Sequence, residues 1–499
     1  MSKLTVQLVT WNGAKYIPFL FESLRAQTYT DWELCVFDNA SSDTTVEAIE
    51  KELARCQFPY TFEKSTTNTG FAGGHNHLYK TRTTSEYILL LNQDMYLMPD
   101  CLQNMATFLD EHPQTAAVSP RLMRWHFNAC RIEEGVCNVD GSHTDDIDAL
   151  GLKVFRNRRV VEWYTKQSWH DIKVKKELQF DSIPVFGVSG AFPLYRRSAL
   201  RDTELHGGEF LDTSYHSYKE DVDLAYRLRS AGYESFVLTN TVAYHDRSGA
   251  GPKQMGDISA VMNKRTQSAW VTYHSYKNHL MTLYKNEYIS NVLWDLPFIL
   301  FYEFKKFVWF LLFKPSVLGG LFECIRLRHI LSHNRSLITK RRRVGAKSIR
   351  SWWRKRHIRQ ESFGVVPTYI DRNGGRWFLL IREKRGGHWG FPKGRPEVCE
   401  TPEQSARREL EEETGMGHVV LDLSHPFVHD YVFDGRSGVI LHKTVQLYVG
   451  TCVHMQTELQ TSEVADRVWL QYEEARRLLT HEASRRTLDE VEKYLLRSA

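Results

Sequence analysis

Between Gly394 and Met416 the chain reads GRPEVCETPEQSARRELEEETGM, its densest set of groups able to do chemistry. From Glu403 onward the stretch is rich in Ala, Arg, Leu and Glu. That composition predicts a helix with Thr401 as N-cap, Pro402 in the first turn and Gly415 as its stop. On such a helix Glu409, Glu412 and Glu413 share one face. Three carboxylates on one face repel each other unless cations neutralise them. Hard oxygen ligands of this kind suit Mg²⁺ or Mn²⁺, which in turn bind phosphate oxygens. Arg408 is placed to orient one carboxylate, and the loop from Gly394 can bend back so that Glu400 and a backbone carbonyl approach the same place. A second set of acids lies far upstream. Asp38 follows the apolar run Trp32–Phe37, and Asp94 follows Glu86–Leu91 through Asn92-Gln93. An acid directly after a buried strand can hold a divalent cation against a diphosphate.

The elements that must position these groups are legible around them. Leu4–Thr10 (LTVQLVT) reads as a buried parallel strand, followed by Trp11-Asn12-Gly13 and a helix through Leu20–Gln27. Trp32–Phe37 is a second strand and Thr44–Arg55 a second helix. Strand–helix alternation with polar loops at the strand ends predicts a doubly wound sheet whose ligand sits at the carboxyl ends of the strands. Asp38 would then point into the crevice, within reach of a ribose or base. The segment NTGFAGGHN (Asn68–Asn76) reads as a glycine loop open to close ligand approach. Downstream of Arg359, Phe363–Asp371 and Arg376–Arg382 form a hairpin closed by Asn373-Gly374-Gly375. Strands at Val419–Leu423, Tyr431–Phe433, Lys443–Val449 and Arg467–Leu470 follow, with helices at Tyr472–Leu479 and Arg485–Leu496. These predict an α/β/α sandwich.

Taken whole, the spacing from Gly394 to Met416 matches G-x5-E-x7-R-E-U-x-E-E-x-G-U and resembles the Nudix box. HWGFPKG, His442-Lys443, Ser462-Glu463 and the tail RRTLDEVEKYL resemble the diadenosine tetraphosphate hydrolase branch of that family. The resemblance implies that Glu409, Glu412 and Glu413 are metal ligands or the water-activating base, with Gly394 supplying its carbonyl. It also implies that Glu463 is a further carboxylate at the site and that Lys393, Lys443 and Arg408 serve phosphate groups. In the first half, LVTWNG, DNASSD, NTGFAGGHN and LLLNQDM, in that order, resemble family 2 glycosyltransferases of GT-A fold, especially bacterial rhamnosyltransferases. VFGVSGAF with Tyr195-Arg196-Arg197, then HSYKEDVDLAYRLR and His245, extend the similarity over about residues 4–280. This resemblance implies donor contacts from Thr10, Asn12, Asp38, Gly70 and Asp94. It implies metal binding by Asp94 and His245, and a general base in Asp221 or Glu220. Where many members carry a second Asp, this chain has Asn92.

At 499 residues the chain has room for two or three domains. We divide it into a glycosyltransferase domain at 1–285, an amphipathic and basic connector at 286–359, and a Nudix domain at 360–499. Thirteen Lys/Arg and no Asp/Glu lie between Arg326 and Arg359, so the net charge of +5 leaves −8 for the rest. The apolar stretch Val292–Phe322 is interrupted by Asp295, Glu303, Lys305, Lys306 and Lys314, too often for a spanning helix. It reads as an amphipathic helical pair on an anionic membrane surface, with Trp352-Trp353 as further anchors. Arg124–Asp181, with the acids Asp145, Asp146 and Asp148, is assigned to acceptor binding. The eight cysteines show no zinc spacing, and Met1-Ser2-Lys3 enters a strand without a signal peptide, which points to a reducing cytosol. No nucleic-acid readout motif accompanies Lys340–Arg343. The sum is a two-enzyme fusion at the inner face of a membrane. It would transfer a sugar from a nucleotide-diphosphate donor to a glycan or lipid-linked acceptor, and hydrolyse a nucleoside diphosphate derivative or dinucleoside polyphosphate. One alternative makes the Nudix fold a nucleotide-sensing module without hydrolysis.

Overall fold

Apolar residues buried on both faces put LTVQLVT and YILLL at the centre of a sheet. The computed structural model describes residues 2–82, 85–133, 136–247, 268–384, 387–397, 400–434, 439–458 and 464–498. The chain divides into two units, Met1–Arg356 and His357–Ala499.

In the first unit Tyr60–Lys64, Trp32–Asp38, Leu4–Thr10 and Tyr87–Leu91 lie side by side in parallel. This is the doubly wound order, and it reverses direction between Leu4–Thr10 and Tyr87–Leu91, where a crevice opens at the strand ends. Leu194–Arg196 continues the sheet antiparallel to Tyr87–Leu91, and Thr115–Trp125, Glu234–His245 and Ser182–Pro184 complete its path. Alternation sends Tyr87, Leu89 and Leu91 into one core with Ile17, Leu20, Phe21 and Leu102. Ile88 and Leu90 join Tyr79, Leu224 and Leu228 in the other.

The stretch read as a glycine loop is the start of a helix, Gly70–Arg82. Its glycines serve packing: a Cβ on Gly74 would lie 2.8 Å from a methyl of Val9, so the helix sits hard against the first strand. Arg124–Asp181 contains short hairpins, Arg131–Glu133 with Val136–Asn138 and Leu152–Val154 with Val160–Glu162. It also contains the strand His143–Ala149, paired to Thr115–Trp125.

The helices Ala269–Asn286, Ile289–Phe313, Gly319–Arg326, Arg328–Lys340 and Ala346–Arg354 fall within the first unit. Their attachment is partly apolar, through Met281 and Leu331 against Tyr215 and through Ile349 and Trp352 against Phe186 and Tyr226, and partly ionic and buried. Asp295 has no exposed side-chain surface and accepts from Arg156 (2.6 Å), Arg158 (3.1 Å), Trp353 (2.9 Å) and Arg354 (3.0 Å). Arg158, equally buried, also donates to Glu287 at 2.6 Å.

In the second unit Arg356–Ile370 and Arg376–Glu383 pair as the expected hairpin. The two strands read at Val419–Leu423 and Tyr431–Phe433 are one long strand, Val419–Asp434, irregular between Asp422 and Phe427 where it pairs with Val439–Cys452. Helix Pro402–Thr414 covers one face of the sheet through Ala406 and Leu410. Tyr472–Leu478 and Glu482–Ser498 cover the other through Ala475, Leu488 and Val491. An α/β/α sandwich results.

Removing one partner of a buried ion pair typically costs about 3–5 kcal/mol. Asp295→Ala is therefore expected to lower the first unit's stability by that order in urea unfolding followed by tryptophan fluorescence, with the second unit's transition unmoved.

Candidate active sites

In the first unit the strand ends converge on a chain of charges. Asp94 follows Tyr87–Leu91 and lies 3.3 Å from Nε2 of His245, the last residue of Glu234–His245. The other ring nitrogen of His245 meets the fully buried Asp148 at 2.9 Å. Burial disfavours the imidazolium, yet the two flanking carboxylates outweigh it and hold the ring's pKa at about 10. Arg247 lies 3.7 Å from Asp148 and 2.7 Å from Glu162. Glu162 in turn acts electrostatically on Asp221, as Arg247 does. A chain of ion pairs thus runs from Asp94 to Glu162, and the charges of Glu162 and Arg247 both act on Asp221.

Glu220 and Asp221 open helix Glu220–Ser230, where the free N–H groups favour acids. Asp221 accepts from the amides of Gly190 (3.2 Å) and Val222 (2.8 Å). Burial raises both carboxyls; Glu220 is pushed up to about 8, with the charge of Asp221 the next cause. The turn before them is strained. His216, Tyr218 and Lys219 all have positive φ (62°, 70° and 71°). The buried amide of Asn278 donates to the carbonyls of Tyr215 (3.0 Å), Ser217 (2.9 Å) and Tyr218 (2.7 Å), clamping that turn.

The remaining residues expected at the donor line the opposite loops. Thr10 is buried and donates to Asp38 at 3.0 Å, and Ser41 bonds both Asp38 oxygens through its amide and hydroxyl. Asn12 accepts from the Ser42 amide at 2.8 Å, joining the first two strand-end loops. Gly70 has φ +76° and passes under His216, whose carbonyl a Cβ would meet at 2.5 Å.

In the second unit the predicted caps are present. Thr401 and Gln404 form a reciprocal capping box, Pro402 begins the helix and Gly415 ends it at φ +72°. Arg408 donates to Glu400 (2.7 Å), Glu409 (2.8 Å), Glu412 (2.9 Å) and the Arg395 carbonyl (2.8 Å). That guanidinium holds Glu400 down at about 2. Glu413 accepts from the Lys393 amide at 2.9 Å, and burial, partly offset by Lys393, pushes it up to about 8. Glu409 and Glu413 are buried, whereas Glu412 is half exposed. A Cβ on Gly394 would lie 2.0 Å from the Glu409 carboxylate, so no other residue leaves that carboxylate room. Burial and the nearby Lys393 lower Lys443 to about 8. Glu463 lies outside the described residues. Among the described residues, no three His, Cys, Asp or Glu side chains already converge as a metal-ligand set. Arg408 stands among the carboxylates instead.

Four groups escaped the sequence reading. Asp148 was placed with an acceptor patch but orients His245, and Arg247 links it to Glu162. Asn278 clamps the turn before Glu220. Glu383 ends the strand Arg376–Glu383 and bonds Lys393 at 3.2 Å. Only the last carried a local signal, as an acid at a strand end close to the Lys393 segment.

Comparison with known proteins agrees with this division. Residues 5–127 match the model described as Glycosyl transferase family 2, and residues 359–491 match the NUDIX domain model. The poly(ribitol-phosphate) beta-N-acetylglucosaminyltransferase TarS of Staphylococcus aureus is 32% identical over 114 residues, 22% of this chain and 20% of that one. The mutator protein MutT4 of Mycobacterium tuberculosis is 36% identical over 132 residues, 26% of this chain and 52% of that one. An 8-oxo-dGTP diphosphatase of Proteus vulgaris is 41% identical over 51 residues, 10% of this chain and 46% of that one. The chain thus spans about a fifth of the length of TarS and about half that of MutT4. It carries a family 2 glycosyl transferase domain in its first unit and a NUDIX domain in its second.

Proposed function

We propose a bifunctional enzyme. The first unit would transfer a sugar, of rhamnosyl or similar type, from a nucleotide-diphosphate donor to a glycan or lipid-linked acceptor. The second would hydrolyse a nucleoside diphosphate derivative or dinucleoside polyphosphate. The work would be done in the cytoplasm, at the inner face of a membrane. The observation that carries the transferase reading is the Asp94–His245 pair at the strand ends, its ring held by Asp148, together with Asp221 held by the Gly190 and Val222 amides at the start of a helix. TarS, named for transfer to poly(ribitol phosphate), supports a polymeric acceptor rich in hydroxyl groups. MutT4 and the 8-oxo-dGTP diphosphatase support a nucleotide for the second unit.

In the transfer, the acceptor oxygen bonds to the anomeric carbon as the bond to the diphosphate breaks, and the diphosphate leaves with the electron pair. Asp221 takes the hydroxyl proton, held in place by the Gly190 and Val222 amides. One base in line with the leaving group inverts the anomeric centre. In the hydrolysis, water attacks phosphorus and a phosphoanhydride P–O bond breaks. One of Glu409, Glu412 and Glu413 takes the proton, and Lys393 and Lys443 bind phosphate oxygens.

The donor sets fit hard divalent cations. Asp94 with His245 would hold one, the ring giving up the proton on the nitrogen that faces Asp94 while keeping the one toward Asp148, and Glu409, Glu412, Glu413 and the Gly394 carbonyl would hold another. Mg²⁺ or Mn²⁺ bound there supplies charge neutralisation for the diphosphate.

Transfer requires ionised Asp221, whose pKa is raised by burial and then by Glu162. The rate should fall as pH drops through that raised value, placing the acid limb of kcat above the ordinary aspartate value of about 4. A limb at or below that value contradicts the assignment. Asp221→Asn should lower kcat by about 10²–10⁴ in a coupled nucleoside-diphosphate release assay while leaving hydrolysis unchanged. The double change Glu412→Gln/Glu413→Gln should show the converse pattern by phosphate release after phosphatase treatment. Persistence of hydrolysis in that variant would contradict the roles of Glu412 and Glu413, and absence of hydrolysis in the wild type would favour a sensing module. Gly394→Ala should cut hydrolysis at least about tenfold by displacing the Glu409 carboxylate, with little change in KM.

A further inference from the structure

The helix Ile289–Phe313 is inside out. Beside the apolar Ile299 and Phe310, its inward positions carry Asn291, Asp295, Glu303 and Lys306, which are buried or nearly so, and the last two pair at 3.1 Å. Its outward positions, at i, i+4 and i+3 steps from Leu293, carry Pro297, Leu300, Phe304, Phe307 and Leu311. Leu293 is 64% exposed, Leu300 58%, Phe304 65% and Leu311 53%. A water-facing helix has the opposite arrangement. Phe322 and Ile325 repeat the pattern on Gly319–Arg326.

The charges say what covers this face. Over 289–330 each acid is turned inward and bonded: Asp295 to arginines, Glu303 to His279 and Lys306, Glu323 to Lys277 and Tyr273. The exposed charges are cations, Lys305, Arg326 and Arg328. Lys305 lies over the exposed Phe301 ring at 5.0 Å, and Arg326 is one helical turn from Phe322. Bulky apolar side chains alternating with cations match the boundary between acyl chains and anionic headgroups. No described helix is long and apolar enough to cross a membrane.

We propose that this face of the first unit lies in the surface of an anionic lipid bilayer, with Leu293, Leu300, Phe304, Leu311 and Phe322 in the acyl boundary and Lys305, Arg326 and Arg328 among the phosphates. The inference deepens the proposed function by presenting the transferase to a lipid-linked acceptor. Its test is separate from that reading, because donor hydrolysis in vesicle-free solution reports the transferase site alone.

The test is co-sedimentation of the full chain with vesicles of phosphatidylcholine containing phosphatidylglycerol and with phosphatidylcholine vesicles. The wild type should bind the anionic vesicles at least about tenfold more tightly, with the difference shrinking at high salt. The variant Leu293→Gln/Leu300→Gln/Phe304→Gln/Leu311→Gln should lose at least about tenfold of that binding at an unchanged thermal midpoint. Lys305→Gln/Arg326→Gln/Arg328→Gln should lose the preference for anionic lipid. Equal binding of the apolar variant and wild type would overturn the proposal. So would a wild-type dimer by light scattering that the apolar variant turns into monomer, since the face would then belong to a second copy.

Discussion

Taking a carboxylate out of water is unfavourable unless something positive shares its surroundings, and that constraint shapes both units. Glu220 is buried and Asp221 partly buried at a helix N-terminus, and Glu409 and Glu413 are buried beneath the loop carrying Gly394. Burial raises Glu220, Asp221 and Glu413 above the usual carboxylate range. Each set therefore sits poised between protonation and the arrival of a cation. The fold supplies partial compensation: amides of Gly190 and Val222 in one unit, Arg408 and the Lys393 amide in the other.

The same physics explains the supporting structure. His245 sits between two carboxylates because a neutral ring there would leave Asp94 and Asp148 facing each other with less compensation. Arg247 carries the compensation on to Glu162. In the helical part of the first unit, Asp295 collects donors from Arg156, Arg158, Trp353 and Arg354. Polar contacts so placed, with Ile299 and Phe310 beside them, orient the helix Ile289–Phe313 and leave a long row of its apolar residues outward.

How much of this was legible in the sequence depended on the range of the interaction. The helix Pro402–Thr414 and its caps were readable to the residue, because a capping box and a left-handed glycine stop are local. Asp94 was readable because it follows a buried strand, and His245 through the family resemblance. Asp148 was not, since its partner is ninety-seven residues away and no periodicity connects them. Asn278 reads as an ordinary helical residue until the strained turn it clamps is seen. Gly73 and Gly74 misled, because close packing of a helix on a strand and close approach of a ligand both select glycine. The charges interrupting Val292–Phe322 ruled out a spanning helix correctly, but only the fold shows that the acids among them point inward.

The central claim is that one chain builds two separate acid sites, each suited to a hard divalent cation. Mn²⁺ binding by the full chain, followed through the paramagnetic resonance signal of the free ion, tests it most directly. Asp94→Ala should abolish one class of sites and spare the other, and Glu409→Gln/Glu412→Gln should do the reverse. Absence of binding in the wild type, or loss of both classes from either change, would contradict the account.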